Sequence, residues 1–269
     1  HAPYQMGDDM VRLRKLLPAA FVGAVLTYLY APIAVIVIFS FTTSPRLSMP
    51  IECLTLDWYT SALSNSLIST ALRNSLLLAS VSALVSGVIG AAFAFGLVAL
   101  KRPRLRASLL GASMLPAIMP LLVIGIALAV FFRLMHVQQG LLNAAIGHVL
   151  VSLPFVVLTM NARLETFDFS VLEAARDLGA TPGRVLRDIT LPLIRPSIIG
   201  AALLAAALSL DEFVVTWFNI GSQLTVPVLV WGLMRRGIDP SINAIATMLL
   251  ALLVCLVAAS ALLNRKKSK

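Results

Sequence analysis

The chain has 269 residues, 59% of them hydrophobic and only 12% charged, about half the charge of an ordinary soluble domain. Its formal net charge is +9, but no basic face with interleaved aromatic platforms is visible, so nucleic-acid binding is excluded as the source. Two cysteines and three histidines, His1, His136 and His148, show no metal-ligand or redox spacing, so no metal site is expected.

Six apolar runs reach or approach the roughly 20 residues needed to cross a bilayer. Residues 1–9 open on His1 rather than Met and are given no functional weight. The first run, residues 16–41, contains Pro32 and is too long for the apolar core of a signal peptide. The following segment holds Cys53 and then Asp57, Trp58 and Tyr59; the two aromatics suit the headgroup interface. Part of residues 56–73 is expected as a short helix at the outer surface, or as an early start to span two. That span, residues 75–100, carries Gly87, Gly90 and Gly96 among alanines, small residues that allow close helix packing.

Span three covers residues 108–131 with Pro116 and Pro120, and span four covers 141–160 with Pro154. These prolines, like Pro32, predict kinks or broken turns whose freed backbone groups neighbours must satisfy. Span five, residues 197–218, contains Asp211 and Glu212, and span six, 242–263, contains Cys255, read as a small core residue. Carboxylates inside a span are costly unless they face water or a partner. At about 20 Å from the start of the span, one can line the pathway while the other braces it. The alternative is an ion pair with Arg235 or Arg236 that holds an outer gate. Trp217, Phe218 and Trp231 near the outer mouth suit either cation–π contact with cargo or interfacial anchoring, and Asn219 and Gln223 could add polar contacts.

Charge placement sets an expected orientation. With the N-terminus in the cytoplasm, 16 of the 21 Lys and Arg residues fall on the inner side, leaving Arg46, Arg73, Arg133, Arg235 and Arg236 outside. The positive-inside rule accounts for that bias, and it places both termini in the cytoplasm.

Between spans four and five, residues 161–196 form a polar module that reads as helix, turn, helix. Ser170 and Glu173 fit a capping box, and Gly179 supplies a left-handed stop. Thr181 and Pro182 restart the chain as N-cap and first helical residue. Val185, Leu186 and Ile189 give the second helix an apolar stripe. Arg184 and Asp188 can pair on its wet side, and Pro192 and Pro196 are expected to close the module.

The spacing Glu173-Ala174-Ala175, three residues, Gly179, nine residues, Ile189, one residue, Leu191-Pro192 resembles the integral-membrane subunits of ATP-binding-cassette importers. Nothing in that pattern is missing, and with the six spans the resemblance covers nearly the whole chain. It implies an all-α integral membrane protein, residues 1–269 forming a single permease domain of the type I importer fold, with residues 161–196 as its cytoplasmic coupling loop. It further implies that Glu173, Ala174, Ala175, Asp177, Gly179, Ala180 and Arg187 couple the chain to a cytoplasmic ATPase.

Three further stretches resemble the spermidine/putrescine branch: Arg73-Asn74-Ser75-Leu76, Ser209-Leu210-Asp211-Glu212-Phe213, and Arg235-Arg236-Gly237 followed by Pro240, Asn243, Ala244, Ala246 and Thr247. Permeases for thiamine, opines and ferric ion share much of this layout and stand as alternative cargo readings. The chain lacks a GxxxxGK[ST] phosphate loop, so ATP and Mg belong to a partner. The expected partners are a homologous permease, two ATPase subunits, a periplasmic or surface-tethered binding protein and the lipid of a bacterial inner membrane. Asp211, Glu212, Trp217 and Trp231 are the candidate pathway or gate residues. A membrane-embedded enzyme is the alternative of another class, but no paired acids, Ser/His arrangement or metal cluster supports it.

Overall fold

The computed structural model describes residues 5–43, 53–235 and 240–265. In order, the elements are α1 (Gln5–Phe39), α2 (Asp57–Ser64), α3 (Ser66–Ala99), α4 (Pro103–Ser113), α5 (Leu115–Ile118), α6 (Leu121–Leu134) and α7 (Leu141–Glu165). They continue with α8 (Ser170–Asp177), α9 (Pro182–Arg184), a π-helical turn (Val185–Thr190), α10 (Leu191–Asp211), α11 (Val214–Asn219), α12 (Val226–Met234) and α13 (Pro240–Arg265). Among the described residues four helical stretches are long and apolar enough to cross a membrane: Pro18–Phe39, Ser66–Ala99, Leu141–Glu165 and Pro182–Asp211. Leu121–Leu134 and Ser241–Cys255 are shorter apolar helices.

The expected third span is therefore not one helix. It breaks at Met114 and again at Met119, because Pro116 enters the first turn of α5 and Pro120 precedes α6 in extended conformation. Pro32 and Pro154, by contrast, sit inside unbroken helices. The expected fifth span starts earlier and stops earlier than residues 197–218, since α10 ends at Asp211. Both alternatives for residues 56–73 are realised: α2 is a separate short helix, and α3 begins at Ser66 behind an Asn65 cap whose Oδ1 accepts from Leu67 N at 2.9 Å.

The chain packs as two units. In the first, α1 carries exposed apolar and aromatic side chains such as Phe21, Tyr28 and Tyr30, as a helix in lipid does. Past its end the backbone is bracketed by the aromatics expected at the interface. Trp58 Nε1 donates to Thr42 O at 2.7 Å, and Tyr59 Oη meets Ser40 Oγ at 2.6 Å.

The second unit is built on α3, α7 and α10. A buried hydroxyl seam joins the first two, with Ser152 Oγ at 2.9 Å from Ser82 Oγ and 2.8 Å from Ser86 Oγ. One turn further along α3, a Cβ on Gly90 would stand 2.5 Å from Val156 Cγ1, and one on Gly87 3.3 Å from Ala202 Cβ. Gly96 has nothing within 4 Å, so two of the three glycines expected at an interface are used there. Cys255 is exposed, as is Cys53. Its place in an apolar run does not make it a core residue, since the same composition serves a face turned to lipid.

Replacing Gly90 with Val should overpack the α3–α7 contact and cost about 1–3 kcal/mol. That is expected as a lowered melting temperature of the detergent-solubilised protein, with Gly96→Val close to wild type.

Candidate functional site

The polar module grows out of the end of α7. Arg106 of α4 donates through Nη2 to Glu165 Oε1 at 2.8 Å and to Asn161 Oδ1 at 3.2 Å. Asn161 Nδ2 donates to the same glutamate oxygen at 3.0 Å. Among the described residues this is the one ion pair. Beyond it Phe167 and Leu172 bury themselves with Met160, Leu164, Val185 and Ile194, and this core fixes the module to the membrane helices.

The expected capping box does not form. Phe169 occupies the cap position of α8 in helical conformation and offers no side-chain bond. Asp168 does the work instead: its Oδ1 accepts from Ser170 Oγ at 2.6 Å and Ser170 N at 3.0 Å. The serine hydroxyl is thereby turned back onto the aspartate and is lost to the first turn. These two bonds, the hydroxyl's first, hold the Asp168 carboxyl below its ordinary range.

Gly179 ends α8 as expected. Its φ is +85°, a region that favours glycine. Gly179 N donates to Arg176 O at 2.8 Å and Ala180 N to Ala175 O at 3.0 Å, the paired bonds of a Schellman stop. The stop leaves Leu178, read from the sequence only as a helix former, 90% exposed. Glu173, Ala174, Asp177, Gly179 and Arg187 are exposed as well. Ala175 and Ala180 pack against the module core, so they support the outer face instead of forming it.

The second half departs from the expected helix closed by prolines. Thr181 and Pro182 do start it, but the helix runs on through the π turn into α10. Leu191 N reaches back to Leu186 O and Thr190 Oγ1 donates to Val185 O at 3.1 Å. Pro192 and Pro196 fall within the first turns of α10 without ending it. The wider turn also moves residue i+4 off the face of residue i, and no ion pair joins Arg184 to Asp188 among the described residues. A groove of about 450 Å³ lies between Phe95 and Val98 of α3 and Leu172, Arg176, Val185 and Leu186 of the module.

At the far end of α10 stand the two carboxylates. They lie at a helix break rather than inside a span. Glu212 turns extended, is 7% exposed, and accepts from Val215 N through Oε1 at 2.8 Å, which starts α11. Asp211 is exposed. Neither pairs with Arg235 among the described residues, and Arg236 lies outside them, as does part of the Arg235-Arg236-Gly237 stretch. Phe213 places its ring centroid 5.8 Å from that of Trp217 and 5.4 Å from that of Trp231. Both tryptophans are nearly half exposed. The patch is thus three rings that begin two residues beyond the exposed Asp211, with Phe213 the member that sequence reasoning did not single out.

Phe218 and Asn219 point elsewhere. Phe218 lines a separate cavity of about 650 Å³ with Arg133 and His136. Asn219 is buried and donates to Gly125 O at 3.0 Å and Val215 O at 2.9 Å. Gln223 lines a third cavity with Arg73. The neighbouring Asn74 and Ser75 tie down the start of α12, through Leu224 O at 2.8 Å and Val226 N at 2.9 Å. Among the described residues no cluster of His, Cys, Asp or Glu could hold a metal ion.

Comparison with solved structures gives the fold. The fold matches a chain of a bacterial ABC transporter that imports the acidic polysaccharide alginate, at TM-score 0.70 and 16% identity over 96% of this chain and 99% of that one. It also matches a chain of the MetNI methionine ABC transporter in inward-facing form, at TM-score 0.63 and 18% identity over 74% and 95%. This is the fold of an ABC-importer permease. The profile of the family described as binding-protein-dependent transport system inner membrane component matches residues 86–269, and the chain belongs to that family. The spermidine/putrescine transport system permease protein PotC of Escherichia coli (strain K12) is 37% identical over 258 residues, 95% of this chain and 96% of that protein. The putrescine transport system permease protein PotI of the same strain is 36% identical over 231 residues, 83% of this chain and 82% of its own length. The protein is a permease subunit of an ABC importer, a non-catalytic role.

Because the Asp168 carboxyl titrates below its usual range, its hold on α8 persists at neutral pH and is lost as pH falls through that lowered value. Asp168→Ala should speed amide exchange at Val171, Leu172 and Glu173 severalfold at pH 7 and abolish its acid dependence, as read by hydrogen exchange.

Proposed function

We propose that this chain carries a polyamine of the spermidine/putrescine class, or a closely related small organic cation, as one half of an ATP-driven importer. The observation that carries the mechanism is the module. Its inner face is anchored in the core by Phe167, Leu172 and Val185, while Glu173, Asp177, Leu178 and Gly179 face outward. A soluble partner that seizes this face pulls on α7 and on the helix running from Pro182 to Asp211 together. In the proposed assembly two cytoplasmic ATPases, binding ATP with Mg, dock on this chain and on a homologous permease. Both termini of the chain are cytoplasmic, in keeping with its bias of Lys and Arg.

Closure of the ATPases on ATP moves the module, turns the membrane cavity outward and accepts cargo from an external binding protein; hydrolysis resets it inward. This is a shift between two gate states biased from a distant site. Cargo chemistry is supported by the names of the relatives and by the patch at the break in the fifth span. Three clustered rings that begin two residues beyond an exposed carboxylate suit an ammonium group, which gains from charge and from the ring faces.

The two halves are tested separately in the assembled transporter in liposomes. Glu173→Arg and Gly179→Val should leave membrane insertion intact while binding-protein-stimulated ATP turnover and uptake drop at least tenfold. Normal turnover and ATPase association in both variants would refute the docking assignment. Asp211→Asn and Trp217→Ala should each raise the half-saturating putrescine concentration about tenfold. An equal effect on a neutral solute would assign the patch to gate structure, and competition by thiamine, an opine or ferric ion but not by putrescine would replace the cargo.

A further inference from the structure

The sequence reading gave His148 no role, because no partner lies near it in the chain. The structure buries it to 2% exposure on α7 and bonds both ring nitrogens. Nδ1 is 2.6 Å from Ser209 Oγ near the end of α10, and Nε2 is 2.6 Å from Thr216 Oγ1 in α11. Ser209 and Thr216 are themselves buried and flank the break at Glu212 and Phe213. Thr216 Oγ1 also donates to Glu212 O at 2.9 Å.

That last bond orders the whole chain of donors. Since the Thr216 proton is committed to Glu212 O, its oxygen accepts, and Nε2 carries the ring proton. A neutral imidazole then has an acceptor at Nδ1, to which the Ser209 hydroxyl donates. Every group in the run from Ser209 through His148 and Thr216 to the carbonyl of Glu212 is used once. A buried network satisfied in this way holds one geometry.

Its position gives it leverage. α7 leads from His148 to the module about 25 Å away. α10 leads back from the module to Ser209 over a similar length. The two rails that leave the module thus meet again at this ring, and the ring also grips α11, which bears Trp217. We propose that His148 is a positioning residue of the solute pathway. It locks the α10–α11 break to α7, so that the Asp211, Phe213 and Trp217 patch moves with the module and not independently of it. This rests on the module and patch reading above.

The test uses the assembled transporter in liposomes and two readouts. Trp217 emission is followed in a background where Trp58 and Trp231 are Phe, with and without ATP, which reports motion of the patch whatever the cargo. Putrescine molecules moved per ATP hydrolysed are counted in parallel. His148→Phe keeps a ring and loses both bonds; it should shrink the ATP-driven emission change at least fivefold and lower the transport ratio similarly, with the ATPase still co-purifying. His148→Gln, whose amide offers one donor and one acceptor, should retain at least half of both. A full emission change in His148→Phe overturns the proposal, as does equal loss in His148→Gln, or absence of any ATP-driven change in the parent. If His148→Phe does not assemble, the double variant Ser209→Ala with Thr216→Val decides by the same criterion. Failure of the parent to move putrescine rejects the cargo reading alone, because the emission arm still judges the tie.

Discussion

In hydrocarbon a peptide group that leaves a helix has no water to turn to. This chain breaks its membrane helices repeatedly, and some of the breaks are met by a polar side chain, although those at Met114 and Met119 are not. Glu212 takes the Val215 N–H where α10 gives way to α11. Asn219 fills the Gly125 carbonyl near the start of α6, and Asn74 and Ser75 serve the backbone on either side of Thr225. Glu212, Asn74 and Ser75 are thus repairs, and their positions mark where the backbone is irregular. A break that has been repaired is also a place where a pathway can open without exposing unpaired backbone.

The same logic separates the two carboxylates that adjoin in sequence. Glu212 is consumed by the repair, whereas Asp211 is exposed and joins no ion pair among the described residues. The module at the other end of α10 is organised on the opposite principle. Its interior is dry, with Phe167, Leu172 and Val185 sealed into the core, and its exterior carries charge around exposed leucines, Leu178 the most exposed of them. Dry on one side and wet on the other, it can transmit force as a unit.

Much of the module was legible because its signals are local. Gly179 and Pro182 act on their own dihedrals and do in the structure what their chemistry predicts, while Thr181 takes the cap position in extended conformation without a side-chain cap bond. The capping residue was misread because Asp168 takes the Ser170 N–H that a capping box would give to the Glu173 carboxylate, and sequence alone does not rank the two acids. Prolines were ambiguous for a related reason: Pro116 and Pro120 break the chain, whereas Pro32 and Pro154 are absorbed into α1 and α7. The break at Glu212 has neither Gly nor Pro to announce it. His148 was invisible because its partners lie 61 and 68 residues away. Local rules carry no information about such pairs.

The π turn at Val185–Thr190 has a consequence for how this chain can diverge. A wide turn holds one residue more than the α-helical ladder needs. Losing that residue would let ordinary winding return with the register beyond it nearly kept, whereas losing one from the regular helix Leu191–Asp211 would rotate everything beyond it by about 100°. Asp211 would then swing to another face of α10, though no contact in the module itself had changed. Chain length from Leu191 to Asp211 is therefore under tighter restraint than the identity of most residues within it. Drift in this stretch is expected as exchange of side chains, not as gain or loss of positions.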